Sequence, residues 1–157
     1  MEAFDEAISD YTELLRIDRQ SIEARWGRGV TYFRKGQLDD SIADITEAIR
    51  LDPPKGHPVW GPHHLHELRA DTFREQKKLE LARDDFSEAI RLTPKGSGTL
   101  LGVRHVARAD VQARLGSLDA AREDVATAER LASGDARVAN SIAWLLATAE
   151  EPRLRDP

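Results

Sequence analysis

The chain has 157 residues, of which 40% are apolar and 32% are charged, and its formal net charge is −5. This length suits one ordinary domain. Because charges of both signs are mixed along the chain, neither nucleic acid nor an anionic membrane is an expected partner. The absence of cysteine excludes disulfides and thiolate zinc sites.

The sequence has no stretch typical of a membrane span or a signal peptide. The longest apolar run, residues 142–149, is far shorter than the ~20 residues that a membrane helix needs. The N-terminal MEAFDEAISD is acidic and amphipathic, unlike a signal peptide. With no targeting signal in it, the chain is predicted to be cytoplasmic.

The first predicted element is an amphipathic helix, and its pattern returns along the chain. The four copies lie at residues 4–19, 38–53, 79–94 and 118–133. Within a copy the apolar residues recur at helical spacing, as at Leu38, Ile42 and Ile45. Prolines 53 and 94 close the second and third copies, because proline disfavours helical geometry in the residue before it.

A second helical segment precedes each of the last three copies. These segments lie at residues 21–36, 63–78 and 102–116. Gly36 and Gly116 fall at the turn between the two helices, where left-handed backbone geometry is needed. A small residue recurs in each first helix and is expected to let helix axes approach closely. These small residues are Gly29, Ala70, Ala109 and Ala143.

This alternation of helices resembles the tetratricopeptide repeat, which has a 34-residue period. Residues 28–53, RGVTYFRKGQLDDSIADITEAIRLDP, carry the small residue Gly29, the aromatic Tyr32, the turn glycine Gly36 and the closing Pro53. The chain departs from the family pattern at Arg19, Ser41, Lys77 and Ser133. The resemblance implies an all-α fold: a right-handed α-α superhelix, or solenoid, of antiparallel helix pairs.

The repeats divide the chain, as a single domain, into full and half units separated by two inserts. The divisions are a half repeat at 1–21, a repeat at 22–55, an insert at 56–62, a repeat at 63–96, an insert at 97–101, a repeat at 102–135 and a half repeat at 136–157. The terminal helices each lack a partner helix of the same repeat. The tail also resembles segments of longer bacterial arrays, so we interpret the chain as a piece of such an array.

Four of the five histidines lie in HPVWGPHHLH, residues 57–66. On a helix His63 and His66 are about 60° apart, whereas His64 is roughly 160° from His66, so the three do not converge on one ion. His63 with Glu67 and His57 could form a weak metal site, but the spacing matches no metal-binding motif.

The structural interpretation of these histidines is favoured, and no metal or cofactor is predicted. It expects His66 to pack between helices and the other histidines to be solvated. Trp60 is expected to cover the seam between two repeats rather than to stack on a ligand.

No set of residues indicates catalysis, so the chain is predicted not to be an enzyme. There is no glycine-rich phosphate loop, nucleophile elbow or cysteine nucleophile. The acidic pairs Asp39–Asp40 and Asp84–Asp85 lie in amphipathic helices and are interpreted as solvated faces.

The resemblance implies a broad concave face, lined by the first helix of each pair, that binds an extended peptide or a partner's helix. The candidate peptide-binding residues are Glu23, Trp26, Val30, Phe33, Arg34, His64, Glu67, Asp71, Arg74, Asp110, Arg114 and Asn140. Neighbouring inward positions hold Glu75, Val103, Val106, Ala113, Arg137 and Trp144.

These inward positions predict what kind of ligand would bind. Trp26, Val30 and Phe33 form an apolar patch at one end, and the middle is acid-leaning, with Glu67 and Asp71. The basic clamp with which some family members hold an acidic C-terminus is absent. We therefore expect a protein or peptide with an apolar anchor followed by a polar or basic stretch. The alternative function is a structural module that self-associates through its open terminal helices.

Overall fold

The structure is a computed structural model that describes residues 2–51 and 61–148, and these residues form eight helices and no strand. The helices are α1 (Glu2–Ile17), α2 (Ile22–Lys35), α3 (Leu38–Leu51), α4 (Pro62–Glu75), α5 (Leu79–Leu92), α6 (Gly98–Arg114), α7 (Leu118–Leu131) and α8 (Ala136–Thr148). The prediction of an all-α fold is confirmed. Among the described residues, no helix is both long and apolar enough to span a bilayer. Pro53, His57 and Trp60, with the roles expected for them, lie outside these ranges.

The chain forms two compact units, which are described separately. The first, Met1–Lys77, contains α1 to α4, and the second, Lys78–Pro157, contains α5 to α8.

The α2–α3 hairpin shows how a helix pair forms in the first unit. Ser21 begins α2, and its side chain accepts a hydrogen bond from the backbone N–H of Ala24. Gly36 then reverses the chain with a φ of 81°, which confirms the predicted left-handed turn. The two helices therefore run antiparallel. They approach closely at Gly29, where a Cβ atom would lie 2.6 Å from Cδ1 of Ile45.

Each unit has its own apolar core. In the first unit Ile22, Ile45, Ala48 and Leu65 are buried together, with Trp26 packed against them. In the second unit the core joins α6, α7 and α8. Its buried members are Val106, Ala109, Ala113, Ala121, Ala128, Val138, Ile142 and Leu145.

The small residues predicted to permit close helix approach behave differently along the chain. Ala70 and Ala109 are fully buried, in agreement with the expectation. Ala143 is instead exposed, because within the described residues no helix covers its side of α8.

The turn that follows α4 has Lys77 in place of the family's glycine. Lys77 has a φ of 59°, and its backbone N–H donates to the carbonyl oxygen of Arg74 at 3.0 Å. A left-handed conformation brings a Cβ atom close to the backbone, at a cost of about 1–2 kcal/mol. The turn thus keeps its left-handed backbone geometry although lysine, rather than glycine, occupies this position.

We predict that Lys77→Gly raises the free energy of unfolding by about 0.5–1 kcal/mol, since glycine relieves the strain but adds entropy to the unfolded chain. Urea denaturation measures the change. Lys78→Gly is the matched control, because Lys78 has a φ of −85° and should gain nothing. A stabilisation as large from Lys78→Gly, or none from Lys77→Gly, would contradict the assignment of strain.

Candidate functional site

A half-buried arginine, Arg28, joins three helices in the first unit. Arg28 donates from Nε to Oδ2 of Asp44 at 2.7 Å and from Nη2 to Oδ1 at 2.8 Å. Its Nη1 donates to Oγ1 of Thr12 at 3.0 Å. One side chain on α2 therefore holds α3, the second helix of its own repeat, and α1, the second helix of the preceding repeat. We call this arrangement the arginine clasp.

The second unit contains the same clasp. Arg108 on α6 donates from Nε and Nη2 to the two carboxylate oxygens of Asp124 on α7, at 2.8 and 2.7 Å. Its Nη1 donates to Oγ of Ser87 on α5 at 3.0 Å. His105 adds a further contact, with Nδ1 2.6 Å from Oδ1 of Asp124.

A third arginine, at the equivalent position of α4, also donates a hydrogen bond to a hydroxyl on the preceding helix. Arg69 on α4 donates from Nη1 to Oγ1 of Thr46 on α3 at 3.1 Å. The sequence analysis missed the clasp, although a signal exists. Arginine and aspartate are 16 residues apart in both complete clasps, and Arg69 and Asp85 have the same separation in the sequence.

The clasps shift the pKa values of Asp124 and Arg28. Burial alone would raise the pKa of Asp124, but hydrogen bonds from Arg108 and His105 outweigh it and hold the pKa below its ordinary value. The hydrogen bond to Asp44 likewise raises the pKa of Arg28.

The prediction that the acidic pair Asp84–Asp85 is a solvated face is wrong for Asp85, which is buried.

The candidate residues on α2 form a partly open apolar surface. Trp26, Val30 and Phe33 are half-buried, while Glu23 and Arg34 are exposed. Trp26 also packs against the core of the first unit. It therefore contributes to folding as well as to the surface.

The candidate residues on α4 form an acid-leaning row within the same unit. His64, Glu67, Asp71 and Arg74 are all half-buried. Nη2 of Arg74 donates to Oδ1 of Asp71 at 2.7 Å, and Nδ1 of His64 lies 3.4 Å from Oε2 of Glu67. Asp71 keeps 31% of its side chain exposed, so it is open to a ligand at one edge.

Asp71 has a perturbed pKa on this surface. Burial raises its pKa to about 6, and the charges of Glu67 and Glu75 add to the rise, while Arg74 opposes it. Ionised Asp71 is therefore costly to the folded protein at neutral pH, and an added cation would relieve that cost.

The candidate residues of the second unit are divided between core and surface. Asp110 is buried, with 7% exposure, and its Oδ1 accepts from Nε of the exposed Arg114 at 3.1 Å. Its two inward neighbours Val106 and Ala113 are also buried in the core, while Val103 is half-buried. On α8, Asn140, Arg137 and Trp144 are exposed, with Trp144 at 60% and Arg137 held by Asp135 at 3.2 Å.

The histidines of α4 do not lie as expected. His63 is buried and its ring centroid is 4.4 Å from that of His64, whereas His66 is only half-buried. The expectation that the histidines other than His66 are solvated is wrong for His63, because α4 turns the side of His63 toward its neighbours. No cluster of three metal-ligating side chains occurs within residues 2–51 and 61–148.

Comparison with known proteins places this fold. A sequence profile of the tetratricopeptide repeat matches residues 1–55. Two crystal structures of MamA align with 98% and 99% of this chain and with 81% and 76% of their own chains. Their TM-scores are 0.74 and 0.73, and their sequence identities are 22% and 21%. Comparison with curated protein sequences finds no match.

Two further solved structures come from a protein with a peptide-binding site and from a domain bound to a peptide. YrrB, a tetratricopeptide-repeat protein with an unusual peptide-binding site, aligns over 99% of this chain and 72% of its own, with a TM-score of 0.69 and 17% identity. The first repeat domain of Spaghetti (RPAP3), bound to the HSP90 peptide SRMEEVD, aligns over 84% of this chain and 98% of its own, with a TM-score of 0.62 and 20% identity.

The fold is therefore that of a tetratricopeptide-repeat protein. A sequence profile of the repeat covers residues 1–55, and for the chain as a whole the likeness to these proteins is one of fold.

We predict that Arg108→Ala lowers the free energy of unfolding by about 2–4 kcal/mol, because it leaves the buried carboxylate of Asp124 without its main partner. Chemical denaturation measures the loss. Arg91→Ala is the control, since Arg91 pairs with Glu88 at the surface and should matter little. Equal effects of the two substitutions would contradict a stabilising role for the clasp.

Asp71 predicts a pH dependence of stability. Its folded pKa is above the unfolded value, so its contribution is fully present below about pH 4 and is lost as pH rises through about 6. Asp71→Asn should therefore raise the free energy of unfolding at pH 7.5 and give no gain at pH 4. Urea titrations at both values test this, with the exposed Asp119→Asn as control. A gain of equal size at pH 4 would contradict the sign.

Proposed function

We propose that this chain is a non-catalytic binding module that holds an extended peptide on the inward faces of its first helices. The observation that carries the proposal is in the first unit, where α2 and α4 are in contact. There the apolar surface of Trp26, Val30 and Phe33 belongs to one helix and the acidic row of Glu67 and Asp71 to the next.

The chemistry of this surface favours a ligand with an apolar side chain followed by lysine or arginine. The half-buried rings of α2 can cover an apolar group with little loss of their own conformational freedom. On α4 the charge of Arg74 is offset by its bond to Asp71, so Glu67 and Glu75 leave the row net acidic. A cationic group beside Asp71 would favour the ionised carboxylate that burial disfavours.

The structural relatives support this class of function. YrrB has a peptide-binding site, and the Spaghetti domain binds an HSP90 peptide. In the second unit, Arg114, Asn140 and the exposed Trp144 are the candidate contact residues, whereas the buried Asp110 would position Arg114 rather than touch a ligand. The cytoplasmic location and self-association through the terminal helices stay predictions.

Selection from a random peptide-display library against the full chain tests the proposal. We expect enrichment of sequences in which an apolar residue precedes lysine or arginine, and loss of that enrichment in the double variant Glu67→Lys, Asp71→Lys. Binding of a selected peptide should weaken as pH falls below about 6, because protonated Asp71 no longer attracts a cation. The matched control is Asp39→Lys, Asp40→Lys, on the exposed start of α3. The proposal would be refuted if the Glu67→Lys, Asp71→Lys variant enriched the same peptides as the unmodified chain, or if acidic peptides were enriched.

A further inference from the structure

The second helix of a repeat buries one stripe of side chains against its own first helix. On α3 this stripe includes Ser41 at 0% exposure, Asp44 at 5% and Ala48 at 0%. Its aspartate is the carboxylate of the arginine clasp. On α7 the equivalent Ala121, Asp124 and Ala128 are buried to the same degree.

The stripe at the same positions of α1 is open. Ala7 is half-buried, Asp10 is exposed, Leu14 is 51% exposed and Ile17 is 75% exposed. Asp10 corresponds to Asp44, 34 residues later in the sequence. Within residues 2–51 and 61–148, no residue forms an ion pair or hydrogen bond with the side-chain carboxylate of Asp10.

A cavity of about 340 Å³ continues this stripe toward α2. Leu14, Ile17 and Trp26 form its apolar wall, and Asp18 and Glu23 also line it. The surface therefore combines an apolar cavity with carboxylates. We call the open stripe and this cavity the α1 groove.

We propose that the α1 groove binds an amphipathic helix that carries an arginine on its apolar face. The arginine would pair with Asp10 as Arg28 pairs with Asp44, and an apolar side chain one or two turns away would enter the cavity. The charges around Asp10 favour a basic helix as the ligand. Two cations of α1 and α2 are already engaged, Arg16 by Glu13 and Lys35 by Asp5, so the carboxylate of Asp10 can pair with a cation of the ligand.

A second copy of this chain does not fit the groove well. The helix that it would offer is α8, whose own second helix is absent from the described residues. At the position of Arg28 and Arg108, α8 has Ile142, which is buried in the core of the second unit. Docking α8 on α1 would cover the charge of Asp10 without a partner, which costs free energy.

The chain's own α2 supplies a probe, because it already pairs with a stripe of this kind. We would titrate the full, isotope-labelled chain with a synthetic peptide of residues 21–36 and follow amide shifts by NMR. Saturable shifts confined to α1 and the start of α2 are expected. Asp10→Asn, or arginine 28 of the peptide replaced by methionine, should each weaken binding about tenfold, and together no further.

Control variants make the outcome decisive. Asp5→Asn removes an equal charge from another side of α1 and should leave peptide binding unchanged. Glu67→Lys with Asp71→Lys should also leave it unchanged, which separates failure here from failure of the proposed peptide site. Equal affinity for the Asp10 variant would overturn the proposal. So would dimerisation of the chain alone that Leu14→Glu abolishes, because a second copy would then be the occupant.

Discussion

The arginine clasp is the interaction on which the pairing of these helices depends. The guanidinium of arginine is planar, and its fork can meet a carboxylate in only a few orientations. Arg28 and Arg108 each bond both oxygens of an aspartate on the following helix and a hydroxyl on the preceding one. Apolar packing alone tolerates a helix sliding or rotating by a fraction of a turn, whereas these bonds do not.

The clasp also explains which parts of the surface are available for binding. It occupies the side of each first helix that faces the second helices, so the residues on the opposite side remain for other contacts. In the first unit those are Trp26 and Phe33 on α2 and Asp71 on α4, all half-buried. The same geometry identifies the open carboxylate of Asp10 on α1, which occupies the position of the clasp aspartate but pairs with no arginine of the described residues.

The fold could be predicted from the sequence because it rests on periodic features. The apolar spacing of Leu38–Leu51 and the turn glycines Gly36 and Gly116 each have one local physical meaning, and the structure confirms them. The clasp was missed because an aspartate inside an amphipathic helix resembles a solvated residue. Likewise, the burial of His63 rather than His66, and of Asp110, depends on how each helix is rotated against its neighbours. That rotation is a tertiary property.

The coupling free energy between Arg28 and Asp44 tests the central claim most directly. A double-mutant cycle with Arg28→Met and Asp44→Ala, measured by urea denaturation, isolates their interaction from the effects of each substitution alone. A buried bidentate pair that fixes the helix register should show a coupling of about 2–3 kcal/mol. Additive effects, with a coupling near zero, would show that apolar packing alone sets the register and would contradict the account.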